Sequence, residues 1–152
     1  MVAVLMAVWI GAALITAGVV APSAFAVLPT STLAGVLIGR VLGALFLAGI
    51  VAGVVAAVVL AAPPRAAGPS RSALIAALVV AGACGFAQFL VTPKLEQLRA
   101  RIGGPVDALA SGDPRRVAFG LLHGYSVAGL GLAVAGGVAC LVFLSLAFRP
   151  RR

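Results

Sequence analysis

The sequence predicts an all-α membrane protein, a four-transmembrane-helix bundle with a short amphipathic segment between helices 3 and 4. The first observation is composition: hydrophobic residues make up 63% of the 152 residues and charged residues only 9%, against about 45–50% and about 25% in soluble domains. The second is the spacing of the charges, which leaves four uncharged runs, 1–39, 41–64, 72–93 and 117–148. Each run exceeds the roughly 20 apolar residues that a helix needs to cross a bilayer. We expect one transmembrane domain over residues 1–152.

Helices 1 and 2 are predicted from the prolines that interrupt the apolar runs. Helix 1 covers about residues 2–26 and ends around the pair Pro22 and Pro29. Helix 2 covers about residues 32–62. Pro63-Pro64 stops it, because proline lacks the N–H group and its ring clashes with the preceding turn.

The first run also allows a cleaved signal peptide. Ala24-Phe25-Ala26 has the small-x-small form of a signal-peptidase site. However, no Lys or Arg precedes the run, and the run is longer than the 7–15 apolar residues that are usual in a signal peptide. We therefore expect a retained membrane span.

Helices 3 and 4 are predicted over about residues 70–91 and 114–148. Helix 4 begins after Asp113-Pro114, because Asp is a favoured N-cap and proline suits the first helical position. Cys84 and Cys140 fall inside these spans and are predicted to be free thiols that pack as small apolar groups.

The loop 92–113 contains the most polar stretch of the chain. Leu95, Leu98 and Ile102 recur at a spacing that places them on one face of a helix. Two interpretations stay open for residues 94–102: an amphipathic helix in the membrane interface, or a solvated extension of helix 3.

The net charge of +8 indicates a lipid bilayer as the partner, because arginines at the ends of apolar runs contact lipid phosphates. Nucleic acid is not expected, since no basic stripe carries the interleaved aromatics of a nucleic-acid reader. We predict a multi-pass protein of the cell (plasma) membrane. The two faces carry five and six basic residues, or five each if Arg40 lies within the bundle. The cluster Arg149-Pro150-Arg151-Arg152 favours both termini in the cytoplasm.

Glycines spaced four residues apart predict where the helices approach closely, because small residues let helix backbones meet in lipid. A homo-oligomer or a membrane-protein partner is the alternative use of such a face. The glycines assigned to helix packing are Gly35, Gly39, Gly43, Gly120 and Gly124.

Polar residues within the spans are the best functional indicators in a membrane protein. Sorted by depth, they gather near the 92–114 loop, which predicts a one-sided polar pocket. For His123 we weigh a hydrogen-bonded contact between helices against binding of a ligand, proton or metal. For Arg40 we weigh snorkelling to the headgroups against an internal contact. The candidate pocket residues are Arg40, Gln88, Arg116, His123 and Ser126.

No catalytic residues, metal site or cofactor are predicted. One His and three carboxylates, all three in one loop, do not form a set of nucleophile, base and orienting group. Two function classes remain, and the first is favoured because four short helices without acidic residues in the spans make a poor transporter. The first is a non-enzymatic scaffold or accessory membrane protein, and the second is a small-molecule or ion-handling bundle that uses the polar pocket.

Short motifs along the chain resemble one family. They are Trp9-x-Gly11, Ala21-Pro22-x-x-Phe25, Ala34-Gly35-x-x-x-Gly39-Arg40 and Leu122-His123-Gly124-Tyr125-Ser126. Their order is similar to that in the bacterial "domain of unknown function 4149" family, related to eukaryotic transmembrane protein 205. The resemblance implies a small four-helix membrane protein without an established biochemical activity. The family commonly has an aromatic-proline pair after Gly-Arg, where this chain has Val41-Leu42-Gly43.

Overall fold

A computed structural model describes residues 1–62 and 71–147 of the chain. These residues are all-helical, without a β-strand among them. Four helices in this part are long and apolar enough to cross a membrane. They are α1 (Val2–Val27), α2 (Ser31–Ala61), α3 (Arg71–Ile102) and α4 (Pro114–Ala147).

The predicted helix boundaries can be compared at several points. α1 ends at Val27 and α2 starts at Ser31, each one residue from the predicted position. α2 ends at Ala61, and Ala62 is extended with ψ 146°, as expected for a residue that precedes a proline. The predicted start of helix 3 at residue 70, the predicted end of helix 4 at residue 148 and the C-terminal arginine cluster lie outside the described residues.

Pro22 and Pro93 lie inside α1 and α3 rather than at their ends. Each follows a π-helical segment, Thr16–Val20 in α1 and Ala87–Val91 in α3. Proline has no backbone N–H to donate, and its ring clashes with the carbonyl group four residues before it. A π-helical turn before the proline rearranges the backbone hydrogen bonds at this point. The hydroxyl of Thr92 also donates to the carbonyl oxygen of Ala87 at 3.0 Å. Both helices therefore continue through their prolines.

The predicted end of helix 3 at residue 91 is too early, because α3 runs on to Ile102. Residues 92–102 continue α3 without a break, so the segment is an extension of helix 3, as the second interpretation predicted, and not a separate helix. It is also not fully solvated, since Leu95, Leu98 and Ile102 are half-buried. Gly103 ends the helix with φ 68°, a left-handed conformation that suits glycine.

The helices pack in chain order, each against its neighbour, and α4 also packs against α1. The core between them holds the fully buried side chains of Met6, Phe46, Val80, Cys84 and Cys140. Both cysteines are free. The indole Nε1 of Trp9 donates a buried hydrogen bond of 3.0 Å to the carbonyl oxygen of Leu45. The polar N–H group of the indole therefore has a partner inside the apolar core.

The tightest contacts between helices lie at glycines outside the predicted set, Gly49 and Gly53. A Cβ atom built on Gly53 would lie 2.7 Å from the backbone nitrogen of Ala81 and 2.8 Å from the carbonyl oxygen of Ala77. Around Gly120 and Gly124, by contrast, no described atom lies within 4 Å of a built Cβ atom. The close contacts of α2 and α4 are made at Gly49, Gly53, Gly136 and Gly137.

The start of α4 is fixed by Asp113. Its Oδ1 atom accepts from the backbone N–H of Arg115 at 2.8 Å, and the Arg115 side chain pairs with the same carboxylate at 2.8 Å. The carboxylate thus partners N–H groups at the end of the helix that have no carbonyl within the helix to bind. The hydrogen bond from the Arg115 side chain holds the pKa of the Asp113 carboxyl below its ordinary value.

Gly53→Ala should lower the free energy of unfolding by about 1–3 kcal/mol, because the new methyl group meets backbone atoms of α3 that can move only with the helix. Gly131→Ala is the matched control, since its Cβ atom meets no described atom within 4 Å, and alanine favours the helix by up to about 1 kcal/mol. Denaturant titration in detergent micelles, followed by circular dichroism, measures both. Equal stability of the two variants would contradict the proposed close contact.

The contribution of Asp113 should depend on pH. Because its folded-state pKa is lowered, the ionised carboxylate stabilises the fold at pH values above the ordinary carboxyl pKa. This contribution is lost as pH falls through the lowered pKa. Asp113→Asn keeps a good cap without a titrating group. The difference in stability between wild type and Asp113→Asn should therefore be present at neutral pH and vanish on acidification, and a difference that is constant with pH would oppose this assignment.

Candidate functional site

A cleft of about 580 Å³ opens at the end of the bundle where α3 is joined to α4. Its walls come from the end of α1, the start of α2, the end of α3, the following linker and the start of α4. We call it the large cleft. It is lined by Phe25, Ser31, Thr32, Gly35, Val36, Arg99, Ala100, Gly103, Gly104, Val106, Asp107, Arg116, Phe119, Gly120 and His123.

A second space of about 80 Å³, which we call the small cleft, shares part of this wall. Phe25, Gly35, Arg99 and His123 line both clefts. The small cleft is further lined by Ile38, Gly39, Leu42, Phe46, Thr92, Leu95, Glu96 and Ser126. Arg99 and His123 therefore stand where the two spaces adjoin.

Arg99 reaches from the end of α3 to the start of α2. Its Nη1 atom donates to the carbonyl oxygen of Gly35 at 3.1 Å. Its Cζ atom also lies 5.3 Å from the ring centroid of Phe119 on α4, within the range of a cation–π interaction. This half-buried side chain links three helices at the wall of the cleft.

Two glycines of the predicted packing set make room for this guanidinium. A Cβ atom on Gly35 would lie 3.0 Å from Nη2 of Arg99, and one on Gly39 would lie 3.3 Å from Nη1. At Gly43 the nearest described atom is the side-chain oxygen of Gln88, at 3.7 Å. The glycine face of α2 thus accommodates polar side chains of α3 rather than the backbone of another helix.

His123 and Phe119 form a parallel pair on α4. Their ring centroids lie 6.5 Å apart with an interplanar angle of 2°. Within the described residues His123 makes no hydrogen bond, so its observed contact is the ring of Phe119 and not a polar bridge between helices. Arg99, Phe119 and His123 form a row along the wall of the large cleft.

Arg116 forms a hydrogen bond with the linker between α3 and α4, which is part of the cleft wall. Its Nη1 atom donates to the carbonyl oxygen of Leu109 at 2.8 Å. The linker also contains a short 3₁₀ turn, Val106–Ala108, which brings Asp107 to the cleft wall. Arg116 is half-buried, whereas Asp107 is exposed.

The structure brings together three of the five predicted pocket residues. Arg116 and His123 line the large cleft, and His123 and Ser126 line the small one. Arg40 lines neither; its side chain is exposed and makes no hydrogen bond or ion pair with another described residue, an arrangement that fits snorkelling. Gln88 also lines neither, and its buried Oε1 atom lacks a hydrogen-bond partner among the described residues.

The sequence prediction missed Arg99, which contacts both α2 and α4 at the cleft. A signal for it is present in the sequence. Arg99 follows Leu95 by four residues and precedes Ile102 by three, so it lies on the apolar stripe of the segment. A charge on the face that turns toward the bundle indicates a functional or structural partner.

The described residues contain no group of three or more His, Cys, Asp or Glu side chains that could hold a metal ion. The polar side chains that line the large cleft are mainly donors: two guanidinium groups, an imidazole and the hydroxyls of Ser31 and Thr32, beside one exposed carboxylate, that of Asp107. This arrangement suits recognition of an acceptor-rich or anionic group.

A comparison with family models matches residues 4–103 to a family described as "domain of unknown function (DUF4149)". The match takes in nearly all of α1 and the whole of α2 and α3, including Gly35 and Arg99. No curated protein and no solved structure matches the chain. The relationship to transmembrane protein 205 stays a prediction.

Arg99 and Phe119 should be energetically coupled. In a double-mutant cycle of Arg99→Gln and Phe119→Leu, we expect a coupling free energy of about 0.5–1 kcal/mol, because each substitution removes the same cation–π contact. Unfolding titrations in detergent measure it. As a control, Arg115→Gln with Phe119→Leu should be additive, since Arg115 pairs with Asp113 instead; additivity in both cycles would argue against the contact.

Proposed function

The chain belongs to the DUF4149 family, and we propose that it is a non-enzymatic, multi-pass membrane protein that binds a small amphipathic molecule in the large cleft. Of the two function classes predicted from the sequence, the cleft favours the small-molecule-binding bundle. A scaffold or accessory role stays a prediction without a specific contact in its favour.

The observation that carries the proposal is the size and mixed lining of the large cleft. A volume of about 580 Å³ falls in the range of about 300–1,000 Å³ that is usual for small-molecule sites. Phe25, Val36 and Phe119 supply apolar wall, and Arg99 and Arg116 supply polar groups at one side of it. An amphipathic ligand satisfies both kinds of surface.

Binding is proposed rather than catalysis because of how the polar groups are used. The arginine side chains donate hydrogen bonds to main-chain carbonyl oxygens, and the ring of His123 stacks with the ring of Phe119. Among the described cleft residues, none forms a hydrogen-bonded pair of nucleophile and base, which is the arrangement that acyl or phosphoryl transfer requires.

The proposal includes a location in the plasma membrane with both termini in the cytoplasm, as the charge distribution predicts. Four spans then place the α3–α4 linker on the outer side. The cleft opens beside this linker, so a ligand would enter from the outer leaflet or from the outside medium.

Filling the cleft should prevent ligand retention. Gly120 lines the large cleft and Gly124 does not, while neither has a described atom within 4 Å of a built Cβ atom. Gly120→Trp should therefore block the cleft, and Gly124→Trp, one turn along the same helix, is the matched control. Each protein is purified from native membranes, and native mass spectrometry identifies small molecules that remain bound.

We expect wild type and Gly124→Trp to retain the same small molecule at similar occupancy and Gly120→Trp to lose most of it. Circular dichroism and the unfolding midpoint of each variant establish that the fold is intact. Retention of the molecule by a folded Gly120→Trp protein would contradict binding in the large cleft.

A further inference from the structure

The hydrogen bonds that hold the two arginines of the large cleft indicate which chemical group of the ligand they bind. Resting on the proposed function, we propose that the large cleft binds a singly charged phosphate ester, whose oxygens accept from Arg99 and Arg116. The same chemistry is offered by the headgroup of a phospholipid and, in simpler form, by inorganic phosphate.

Arg99 is oriented without a direct ion pair among the described residues. One of its five N–H donors is used on the carbonyl oxygen of Gly35, and the ring of Phe119 supports its face. In the part of the chain that the structure describes, an ion pair within 4 Å joins Arg115 to Asp113, and none involves Arg99. A half-buried guanidinium in this state has both free donors and charge for an anion.

Arg116 repeats the arrangement in the lining of the same cleft. Nη1 is used on the carbonyl oxygen of Leu109, a neutral acceptor, and the rest of the guanidinium is left for another partner. Two fixed guanidinium groups that line one space suit the tetrahedral oxygens of a phosphate, which arginine binds through paired N–H donors.

The charges that face the cleft set the charge of the ligand. Arg99 and Arg116 contribute two positive charges and Asp107 one negative charge, and two minus one leaves one positive charge. Glu96 lines the small cleft and not the large one, is exposed, and acts on Arg99 through space without an ion pair within 4 Å. A phosphate diester, with one negative charge, balances the large cleft, and the apolar wall at Phe25 and Val36 accepts the chain attached to it.

The test compares three probes by isothermal titration calorimetry of the full chain in maltoside micelles. Dihexanoyl-phosphatidylglycerol carries the phosphate ester and short acyl chains, dihexanoylglycerol carries the chains alone, and inorganic phosphate carries the anion alone. We expect phosphatidylglycerol to bind at least about tenfold more tightly than dihexanoylglycerol, because only the former gains charge-assisted hydrogen bonds.

Arg99→Gln should weaken phosphatidylglycerol binding about tenfold or more. Arg99→Lys should weaken it less, because it keeps the charge and loses the paired donors. Arg40→Gln is the control, since Arg40 lies outside both clefts, and its affinity should stay within about twofold of wild type. The Arg99→Lys variant also keeps the test valid if the glutamine variant does not fold.

The outcomes separate the two proposals. Tight binding of phosphatidylglycerol with weak binding of phosphate supports a lipid headgroup, and equal binding of both supports a free phosphate anion. If phosphatidylglycerol and dihexanoylglycerol bind equally, Arg99 variants bind like wild type and Gly120→Trp still blocks binding, the phosphate inference is overturned and the cleft stands. If Gly120→Trp has no effect on any probe, the proposed function itself fails.

Discussion

The constraint on which this structure depends is that main-chain and buried polar groups inside a bilayer must find partners within the protein. Hydrogen bonds within the helices satisfy most of the main-chain groups, and hydrogen bonds between helices provide partners for polar side chains of the interior. Trp9 donates to the carbonyl oxygen of Leu45 in α2, and Arg99 donates to that of Gly35. In both cases a side chain from one helix bonds the backbone of another, which fixes the relative positions of the helices where apolar packing alone is not directional.

The same constraint explains how the cleft is built. Pro93 would end a regular helix, but the π-helical turn before it and the hydroxyl of Thr92 let α3 continue. The extension carries Arg99 past the end of the apolar span and toward the start of α2. The cleft at one end of this small bundle thus depends on a helix that continues through a proline.

Much of the fold follows from the sequence, since apolar runs, prolines and the Asp113-Pro114 cap report directly on spans and their ends. The site follows only in part. Arg116, His123 and Ser126 are found by depth along a helix, but Arg99 requires knowing that α3 continues through Pro93. Glycine spacing alone does not separate a face that meets another backbone, as at Gly53, from one that makes room for a side chain, as at Gly35; the difference depends on what the opposing helix presents.

The two π-helical turns also set the rotational phase of the helices that contain them. Each turn accommodates one extra residue, and one residue corresponds to about 100° around an α-helix. The side chains beyond Val91 are therefore turned by about a quarter-circle relative to an uninterrupted helix, and this offset points Arg99 at α2. The geometry of Ala87–Val91, rather than residue identity alone, is thus part of what encodes the cleft: if the same residues formed a regular α-helix, the guanidinium of Arg99 would be turned by about 100° from its present direction.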